Sequence, residues 1–542
     1  MINVSNISLQ FSDRKLFDDV NITFSPGNCY GVIGANGAGK STFLKILSGD
    51  VTPTTGTVTM DPNERLAVLS QDHYGFEDSK VLETVMMGHK ELYNVMKEKD
   101  AIYLKEDFSE EDGLRAGELE AKFAEMGGWE AEAEASDMLQ GLGIPTSMHD
   151  QYMRELGEAD KIKVLLAQAL FGKPDNLLLD EPTNGLDARA VSWLSDFILN
   201  FPNTVIVVSH DRHFLNTVCT HMADVDFGKI KLFVGNYDFW LQSSQLAAKM
   251  AADQNAKKEE KIKELQAFIA RFSANASKSK QATSRKKLLD KITLDDIQPS
   301  SRRYPYVGFE PEREIGNDLL RVEGLSKTID GVKLFDNLTF TLQRTDKVAF
   351  LSRNDLAMSA LFDILMGRME ADQGSFEWGV TTKQTYLPRN ASDEFGDSSL
   401  SIVDWLAQFA SKEEQDQTFL RSFLGRMLFS GDDVKKSVQV LSGGEKVRTI
   451  LSKMMLSKAN VLILDQPTNH LDLESITSLN EGLIKFKGAI LMASHDYEVL
   501  NTTCNRVIEL TPKGAFDHIN TKYEDYVNNP EIQDRLNQLY EG

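Results

Sequence analysis

Cysteine is scarce in this chain of 542 residues, which contains only Cys29, Cys219 and Cys504. Three scattered thiols exclude a disulfide framework and a four-cysteine zinc site, so we expect a reducing, cytoplasmic setting. No apolar run reaches the roughly 18 residues of a membrane-spanning helix, and no basic segment followed by an apolar one opens the sequence. We therefore expect a protein that is neither exported nor embedded in a membrane.

An excess of positive charge is also absent, because 59 basic residues face 81 acidic ones and give a formal charge of −22. Such a chain is repelled by nucleic acid unless its basic residues are clustered. Hydrophobic residues make up 41% and charged residues 26%, values typical of a globular protein. The length predicts about three or four domains, at roughly 100–200 residues each.

The sequence contains an internal duplication. RKLFDDV at 14–20 returns as VKLFDNL at 332–338, and LLLDEPTNGLD at 177–187 returns as LILDQPTNHLD at 462–472. The offset falls from 318 to 285 between these pairs, so the first copy contains 33 residues that the second lacks. Within about 85–135 the sequence has the pattern of charged amphipathic helices, which predicts a projecting helical arm.

The two copies are separated by residues 236–298, a segment without glycine or proline. Its apolar residues recur at spacings of three and four, which is typical of the seam of a two-helix coiled coil. Seven basic residues and one acidic residue lie between positions 271 and 291, around a serine-rich reversal. A solvated coiled-coil tip is the ordinary interpretation, and an RNA-binding tip is the alternative. The candidate RNA-binding residues are Lys278, Lys280, Arg285, Lys286 and Lys287.

A phosphate-binding loop of the form G-x-x-x-x-G-K-S lies between an apolar strand and a helical pattern in the first copy. Its glycines allow backbone N–H groups to surround phosphates, Lys40 neutralises β/γ oxygens, and Ser41 is suited to hold Mg²⁺. We therefore expect ATP and Mg²⁺ as cofactors. The residues expected at the cofactor are Gly34, Ala35, Asn36, Gly37, Ala38, Gly39, Lys40, Ser41 and Thr42.

Further polar residues are candidates for the same site. Asp180 ends an apolar strand and suits the Mg²⁺ shell, while Glu181 can polarise the water that attacks the γ-phosphate. His210 is a candidate to orient that phosphate. Gln71 is a candidate contact to Mg²⁺ and the catalytic water, and Phe11 a candidate to stack on adenine, although lone aromatics more often belong to a core.

The order of phosphate loop, glutamine, signature, LLLDEPT and SHD resembles the nucleotide-binding domain of ATP-binding-cassette proteins, here in tandem. Two cassettes with a charged helical linker and an arm in the first resemble the ABC-F family of ribosome-binding ATPases. The resemblance implies an α/β fold and a monomer whose two cassettes close on each other. It divides the chain into a first cassette (1–240), a helical-hairpin linker (241–303) and a second cassette (304–542).

In the ABC-F family each ATP lies between the phosphate loop of one cassette and the LSGGE signature of the other. The second copy retains this signature, which the resemblance places on the ATP of the first loop. The signature residues are Ser442, Gly443, Gly444 and Glu445.

The other composite site is expected to be degenerate. In its phosphate loop the glycines and the lysine are replaced, and a glutamine stands where the first copy has its catalytic glutamate. The first copy's signature is also altered, to Leu156-Gly-Glu-Ala-Asp-Lys161. Gln466 is either native or an engineered trap, and the intact Glu181 favours the native interpretation. The degenerate-site residues are Ser352, Ala357, Met358, Ser359, Arg389, Gln466 and His495.

The resemblance implies a protein that binds the exit site of the 70S ribosome, near large-subunit rRNA and the P-site tRNA, and leaves on ATP hydrolysis. The length, short linker tip and one-sided degeneracy are most similar to antibiotic-resistance members of the PoxtA type. That similarity implies protection against phenicols, oxazolidinones and tetracyclines. A housekeeping translation factor is the alternative within the family, and the ATPase motor of a transporter is the alternative outside it.

Overall fold

The structure is a computed structural model that describes most of both cassettes. It describes residues 1–11, 14–69, 75–247, 302–412 and 414–540, and positions 249, 250, 253 and 263. Most of the predicted linker lies outside these ranges. The candidate site residues outside them are Gln71, Lys278, Lys280, Arg285, Lys286 and Lys287.

Each cassette combines a small antiparallel sheet with a larger sheet. The strands of the first cassette are β1 (Ile2–Phe11), β2 (Arg14–Phe24), β3 (Cys29–Gly34), β4 (Thr55–Thr59), β5 (Leu66–Val68), β6 (Asn176–Asp180), β7 (Thr204–Val208), β8 (His221–Asp226) and β9 (Lys229–Val234). Those of the second are β10 (Asp318–Ile329), β11 (Val332–Gln343), β12 (Lys347–Leu351), β13 (Gln373–Trp378), β14 (Gln384–Leu387), β15 (Val461–Asp465), β16 (Ala489–Ala493), β17 (Arg506–Thr511) and β18 (Gly514–Ile519).

The strand order is the same in both cassettes. The small sheets are ordered β2-β1-β4 and β11-β10-β13, and the large sheets β5-β6-β7-β3-β8-β9 and β14-β15-β16-β12-β17-β18. The large sheets are parallel except for the last strand, β9 or β18, which is antiparallel to its neighbour. This repetition confirms the predicted tandem α/β architecture.

Helices surround these sheets. In the first cassette they are α1 (Lys40–Ser48), α2 (Val81–Met86), α3 (Lys90–Tyr103), α4 (Glu110–Glu125), α5 (Ala131–Gly141), α6 (Glu158–Leu170), α7 (Ala188–Leu199) and α8 (Arg212–Val218). In the second they are α9 (Asp355–Leu365), α10 (Ile402–Ala407), α11 (Gln417–Arg426), α12 (Gly443–Ser457), α13 (Leu473–Lys485), α14 (Tyr497–Thr503), α15 (Tyr523–Val527) and α16 (Pro530–Tyr540). None of the helices in the described part of the chain has the length and apolar character needed to span a membrane.

The insertion in the first copy folds as helices, as the sequence predicts. Helices α3 and α4 pack together through apolar side chains that include Val95, Ile102 and Phe123. Helix α4 begins with a capping box, in which the Ser109 hydroxyl accepts from the Asp112 N–H and the Asp112 carboxylate accepts from the Ser109 N–H. The insertion is therefore a helical hairpin with its own local start signal.

The central strands bring the phosphate loop and the acidic residues to one edge of the sheet. All five residues of β7 and the first four of β6 are buried, as expected for parallel strands covered on both faces. Because β3, β6 and β7 run in the same direction, their carboxyl ends meet at that edge. The phosphate loop follows β3, and Asp180 and Glu181 stand at the end of β6, so the fold brings the predicted motifs together.

Candidate functional site

The phosphate loop connects β3 to α1 and depends on glycine at two positions. Gly37 and Gly39 have φ angles of 74° and 104°, which residues with a side chain rarely adopt. A Cβ atom on Gly39 would also lie 2.9 Å from side-chain atoms of Leu16 and Phe17. The glycines therefore allow the chain to turn sharply before α1 begins at Lys40.

A cavity of about 640 Å³ lies at this loop, between the two cassettes. The first-cassette residues that line it include Asn36, Gly37, Gly39, Lys40, Ser41, Thr42, Asp180, Glu181 and His210. The second cassette contributes Thr468, Asn469, His470, Leu471, Ile476, His495 and Asp496. The structure thus joins the predicted loop, acids and histidine in one site.

Residues 468–471 of the second cassette were not among the candidates from sequence, although they line the cavity. They belong to the repeated PTN-x-LD pattern that follows the acid-bearing strand in each copy. This repeated pattern is the sequence feature from which residues 468–471 could have been identified as candidates. It could not show that the second copy of the pattern approaches the first copy's phosphate loop.

Lys40 supplies a buried positive charge at the cavity wall. Its side chain donates to the carbonyl oxygen of Gly34 at 2.9 Å, and only 9% of the residue is exposed. Burial lowers the pKa of Lys40, while the carboxylates of Glu181 and Glu474 oppose that shift. An anion in the cavity would further stabilise the charged lysine.

Glu181 and His210 face each other beside the loop. The Glu181 Oε2 atom accepts from the His210 N–H at 3.1 Å, and His210 Nε2 lies 3.3 Å from Glu181 Oε1. Burial raises the pKa of Glu181 to about 8 and lowers the pKa of His210 to about 4. The Glu181 Oε1 atom is buried and makes no hydrogen bond within the described part of the chain.

The donor set beside Lys40 fits a magnesium ion. Ser41 offers a hydroxyl and Asp180 a carboxylate, and both line the cavity. Hard oxygen ligands of this kind, completed by phosphate oxygens and water, are those that Mg²⁺ prefers.

The signature of the second cassette lies behind the cavity wall. Ser442 and Glu445 form a capping box at the start of α12, with the Glu445 carboxylate accepting from the Ser442 N–H at 2.8 Å. A Cβ atom on Gly443 or Gly444 would lie 2.8 or 2.7 Å from atoms of His470. The signature therefore packs directly on His470, which lines the cavity, while Ser442–Glu445 do not line it themselves.

Three loop residues and the predicted adenine contact are also absent from the cavity lining in the described part of the chain. Gly34, Ala35 and Ala38 belong to the loop without lining the cavity. Phe11 ends β1 with 56% of its surface exposed. Its position leaves the ring accessible and does not place it at the phosphate loop.

The second copy reproduces the strand-end geometry without the acid. Glu181 and Gln466 both have a φ angle of 52°, and both donate their N–H to the neighbouring strand, to Val208 and Ala493 respectively. The Gln466 Oε1 atom accepts from the His495 N–H at 3.2 Å, as Glu181 does from His210. The backbone of the site is therefore conserved between the two copies, whereas the carboxylate is not.

The second copy's phosphate loop is replaced by helix. Helix α9 begins at Asp355, three residues earlier than α1 in the repeat register, so Ala357 and Met358 are helical. Met358, at the position of Lys40, is 2% exposed and packs in the apolar core. The Ser359 hydroxyl donates to Asp465 at 2.6 Å. This segment therefore lacks both the glycine turn and the lysine of the first copy.

Comparison with known proteins agrees with this architecture. The sequence profile of the ABC transporter family matches residues 17–184 and 335–469, and a second profile with the same description matches 223–309. The uncharacterized ABC transporter ATP-binding protein YkpA of Bacillus subtilis (strain 168) is 65% identical over 540 residues, with all of both chains covered. The probable ATP-binding protein YbiT of Escherichia coli O157:H7 is 46% identical, over 98% of this chain and all of that protein.

A solved structure shares the fold at low sequence identity. It is the complex of the archaeal ribosomal stalk protein aP1 and the archaeal ribosome recycling factor aABCE1, with a TM-score of 0.58 and 16% identity. The match covers 94% of this chain and 89% of that one.

The chain therefore belongs to the ABC transporter family of ATP-binding-cassette proteins, and it is an ATPase. Its paired cassettes and its full-length relatives support an assignment to the ABC-F group of that family.

Proposed function

We propose that this chain is a ribosome-binding ATPase that closes on ATP at one composite site and is released by hydrolysis. The observation that carries the proposal is the cavity between the cassettes, where Lys40, Asp180 and Glu181 of one cassette face residues of the other. Because both cassettes contribute to this cavity, a nucleotide bound there would hold them together.

The residues of the first cassette have distinct roles in this proposal. Lys40 binds the β/γ-phosphates, and Glu181 orients the attacking water, with His210 beside it. Ser41 and Asp180 would hold Mg²⁺, which neutralises the phosphate charge when bound.

Two further groups are assigned by the family resemblance. The signature residues Ser442–Glu445 would approach the phosphate as the cassettes close, since they pack directly on His470. Gln71 keeps its predicted role at the metal and the water, and Phe11 its predicted role at adenine.

The ribosome is proposed as partner because the segment between positions 271 and 291 of the predicted linker has seven basic residues and one acidic residue, in a chain whose formal charge is −22. The solved protein that shares the fold is described as a ribosome recycling factor, which supports the same class of partner. Protection from phenicols, oxazolidinones and tetracyclines rests on the family resemblance alone. A drug-susceptibility panel on cells expressing the chain or its Glu181→Gln variant would test that finer role against a housekeeping role.

Glu181→Gln tests the ATPase cycle on ribosomes. The variant should lose ATPase activity by about 100-fold or more, because a general base contributes that much. With ATP it should then sediment with 70S ribosomes in larger amounts than the native chain. Met358→Leu, a volume-conserving change at the matching buried position of the second loop, is the control and should change neither quantity. Sedimentation that is independent of ATP, or absent in both proteins, would contradict the proposal and favour a transporter motor.

The linker has its own test. Replacing Arg285, Lys286 and Lys287 by alanine should weaken ribosome binding and reduce its dependence on salt, because each phosphate contact releases counterions. ATPase activity without ribosomes should stay at the native level. Unchanged affinity across about 50–300 mM salt would show that these residues form only a solvated end of the linker.

A further inference from the structure

The second cassette places a carboxylate where the first cassette has Gly37. By the repeat offset of 318, Asp355 corresponds to Gly37. Gly37 has a φ angle of 74° in an open loop, whereas Asp355 is the first residue of α9. The Asn354 side chain caps this helix by accepting from the Leu356 N–H at 3.0 Å. The loss of glycine therefore replaces the loop by helix and adds an acidic side chain.

Two nitrogen-bearing side chains hold that carboxylate. Arg389 donates to it at 2.9 Å, and His495 Nε2 lies 3.2 Å from its Oδ1 atom. Burial raises the pKa of Asp355, but the hydrogen bond to His495 and the charges of His495 and Arg389 lower it below its ordinary value. Asp355 is therefore an anion at neutral pH, bound between two donors.

The positions of these donors in the repeat identify what the carboxylate replaces. Arg389 corresponds to Gln71 and His495 to His210, by the same offsets that align the rest of the two copies. In the first cassette these are the residues expected around the terminal phosphate and its metal. Carboxylate and phosphate are recognised by the same charge-assisted hydrogen bonds, so Asp355 can take the place of a phosphate oxygen.

The remaining ligand positions of the second cassette are also satisfied within the chain. Ser359 and Asp465, which match Ser41 and Asp180, are hydrogen-bonded to each other at 2.6 Å. A hydroxyl already donated to a carboxylate is a poor start for a Mg²⁺ shell.

The last helix covers the outer side of the same segment. The Arg353 N–H donates to the Tyr540 hydroxyl at 3.2 Å, and the Arg353 guanidinium stacks 4.1 Å above the Tyr540 ring. The Tyr540 hydroxyl in turn donates to the Leu510 carbonyl at 2.9 Å. Helix α16 thus fixes the residues that begin α9 against the sheet.

We propose that Arg389 and His495 form an anion site in the second cassette, that the Asp355 carboxylate fills it from within the chain, and that nucleotide is therefore bound by the first phosphate loop alone. A nucleotide phosphate entering this site would meet a fixed negative charge at close range. The contacts of Asp355 with Arg389 and His495 then persist whether or not ATP is present, and only the first loop responds to nucleotide. This inference does not depend on the identity of the ribosome as partner.

Counting bound nucleotides tests the occupancy directly. Equilibrium dialysis of the full chain with Mg²⁺ and a non-hydrolysable ATP analogue, the β,γ-imido triphosphate, should give one nucleotide per chain. Lys40→Ala should bring the number close to zero. Two nucleotides per native chain, or one retained by Lys40→Ala, would overturn the proposal.

A second experiment tests the anion site itself, with inorganic sulfate as the probe. Asp355→Ala leaves Arg389 and His495 without their carboxylate, so sulfate should raise its Tm by about 2–4 °C more than that of the control at roughly ten times its Kd. The control is Asp432→Ala, which removes a surface carboxylate paired with Lys435. It also corrects for the general stabilising effect of sulfate.

An equal sulfate response in the two variants would overturn the anion site. Asp355→Asn keeps the shape of the side chain and removes its charge. It gives the same comparison if the alanine variant does not fold. The nucleotide count on the native chain is independent of either substitution.

Discussion

At the scale of single residues, the site is built around a backbone conformation that both copies retain. Glu181 and Gln466 each adopt a left-handed φ of 52°, which costs a residue with a side chain about 1–2 kcal/mol. In each copy the N–H bond to the neighbouring strand compensates for this strain. The second copy therefore preserves the position of the proposed catalytic side chain, although its glutamine cannot act as a base.

Glu181 should make the stability of the nucleotide-free chain depend on pH. Burial raises its pKa to about 8, so its contribution is full below the ordinary pKa near 4.5 and is lost as pH rises toward 8. Glu181→Gln carries no charge at any pH. Its Tm should therefore exceed that of the native chain by a margin that widens from about pH 5 to pH 8 and then levels off.

Differential scanning fluorimetry across this pH range measures the margin. Glu118→Gln, which changes an exposed acid paired with Arg115, is the control and should show no trend. A margin for Glu181→Gln that stays constant with pH would show that the folded chain accommodates the ionised carboxylate without penalty.

At the scale of elements, the two phosphate loops show how one residue type decides where a helix begins. Gly39 turns with a φ of 104° before α1, whereas Ala357 at the same repeat position lies inside α9. Alanine favours the helix and disfavours the left-handed turn, so the sequence change and the structural change agree.

Gly39→Ala should therefore weaken nucleotide binding at the first phosphate loop, and Ala357→Gly should leave that binding unchanged. The first change imposes a positive φ on alanine and places a Cβ atom 2.9 Å from Leu16 and Phe17, which should weaken binding of the ATP analogue by 10-fold or more. The second removes a buried methyl group from a helix, which costs about 0.5–1 kcal/mol in helix stability and about 1 kcal/mol in lost burial, and leaves the first loop unchanged. Analogue affinity by calorimetry measures both. Similar affinity for native chain and Gly39→Ala would show that the loop tolerates the strain.

The sequence could predict these elements as far as local pattern determines them. The repeat offsets matched strands β6 and β7 to β15 and β16, and the amphipathic pattern predicted the arm of α3 and α4. The early start of α9 could have been predicted from the replacement of the loop glycines in the second copy. The pairing of Asp355 with Arg389 and His495 could not, because the three residues meet only when separate strands and a helix end are brought together.

At the scale of the whole molecule, the contact between the cassettes also could not be predicted from local sequence pattern. Arg302, which follows the predicted basic segment of the linker, binds Asp224 of the first cassette at 2.6 Å and Glu474 of the second at 3.0 Å. Trp240, at the other end of the linker, lies under the guanidinium at 4.7 Å and donates to the same Asp224. Both ends of the linker therefore converge on one carboxylate.

This ion-pair cluster is also connected to the cavity proposed to bind ATP. Glu474 is the second residue of α13 and follows His470, which lines the cavity. The Glu474 carboxylate is close enough to oppose the lowered pKa of Lys40. A movement of the second cassette toward a bound nucleotide would thus displace Glu474, and through Arg302 the end of the linker.

Arg302→Gln should uncouple these parts. About 7% of the Arg302 side chain is exposed, and removing its charge leaves Asp224 and Glu474 without this counter-charge, a loss of about 3–5 kcal/mol for a buried pair. The Tm should fall by several degrees, and ATPase activity should fall with it because the second cassette is no longer held at the cavity. Arg303→Gln is the matched control, since Arg303 is the next residue and is exposed. If the two variants have the same Tm and the same ATPase activity, the cluster does not hold the cassettes together and the linker is positioned by other contacts.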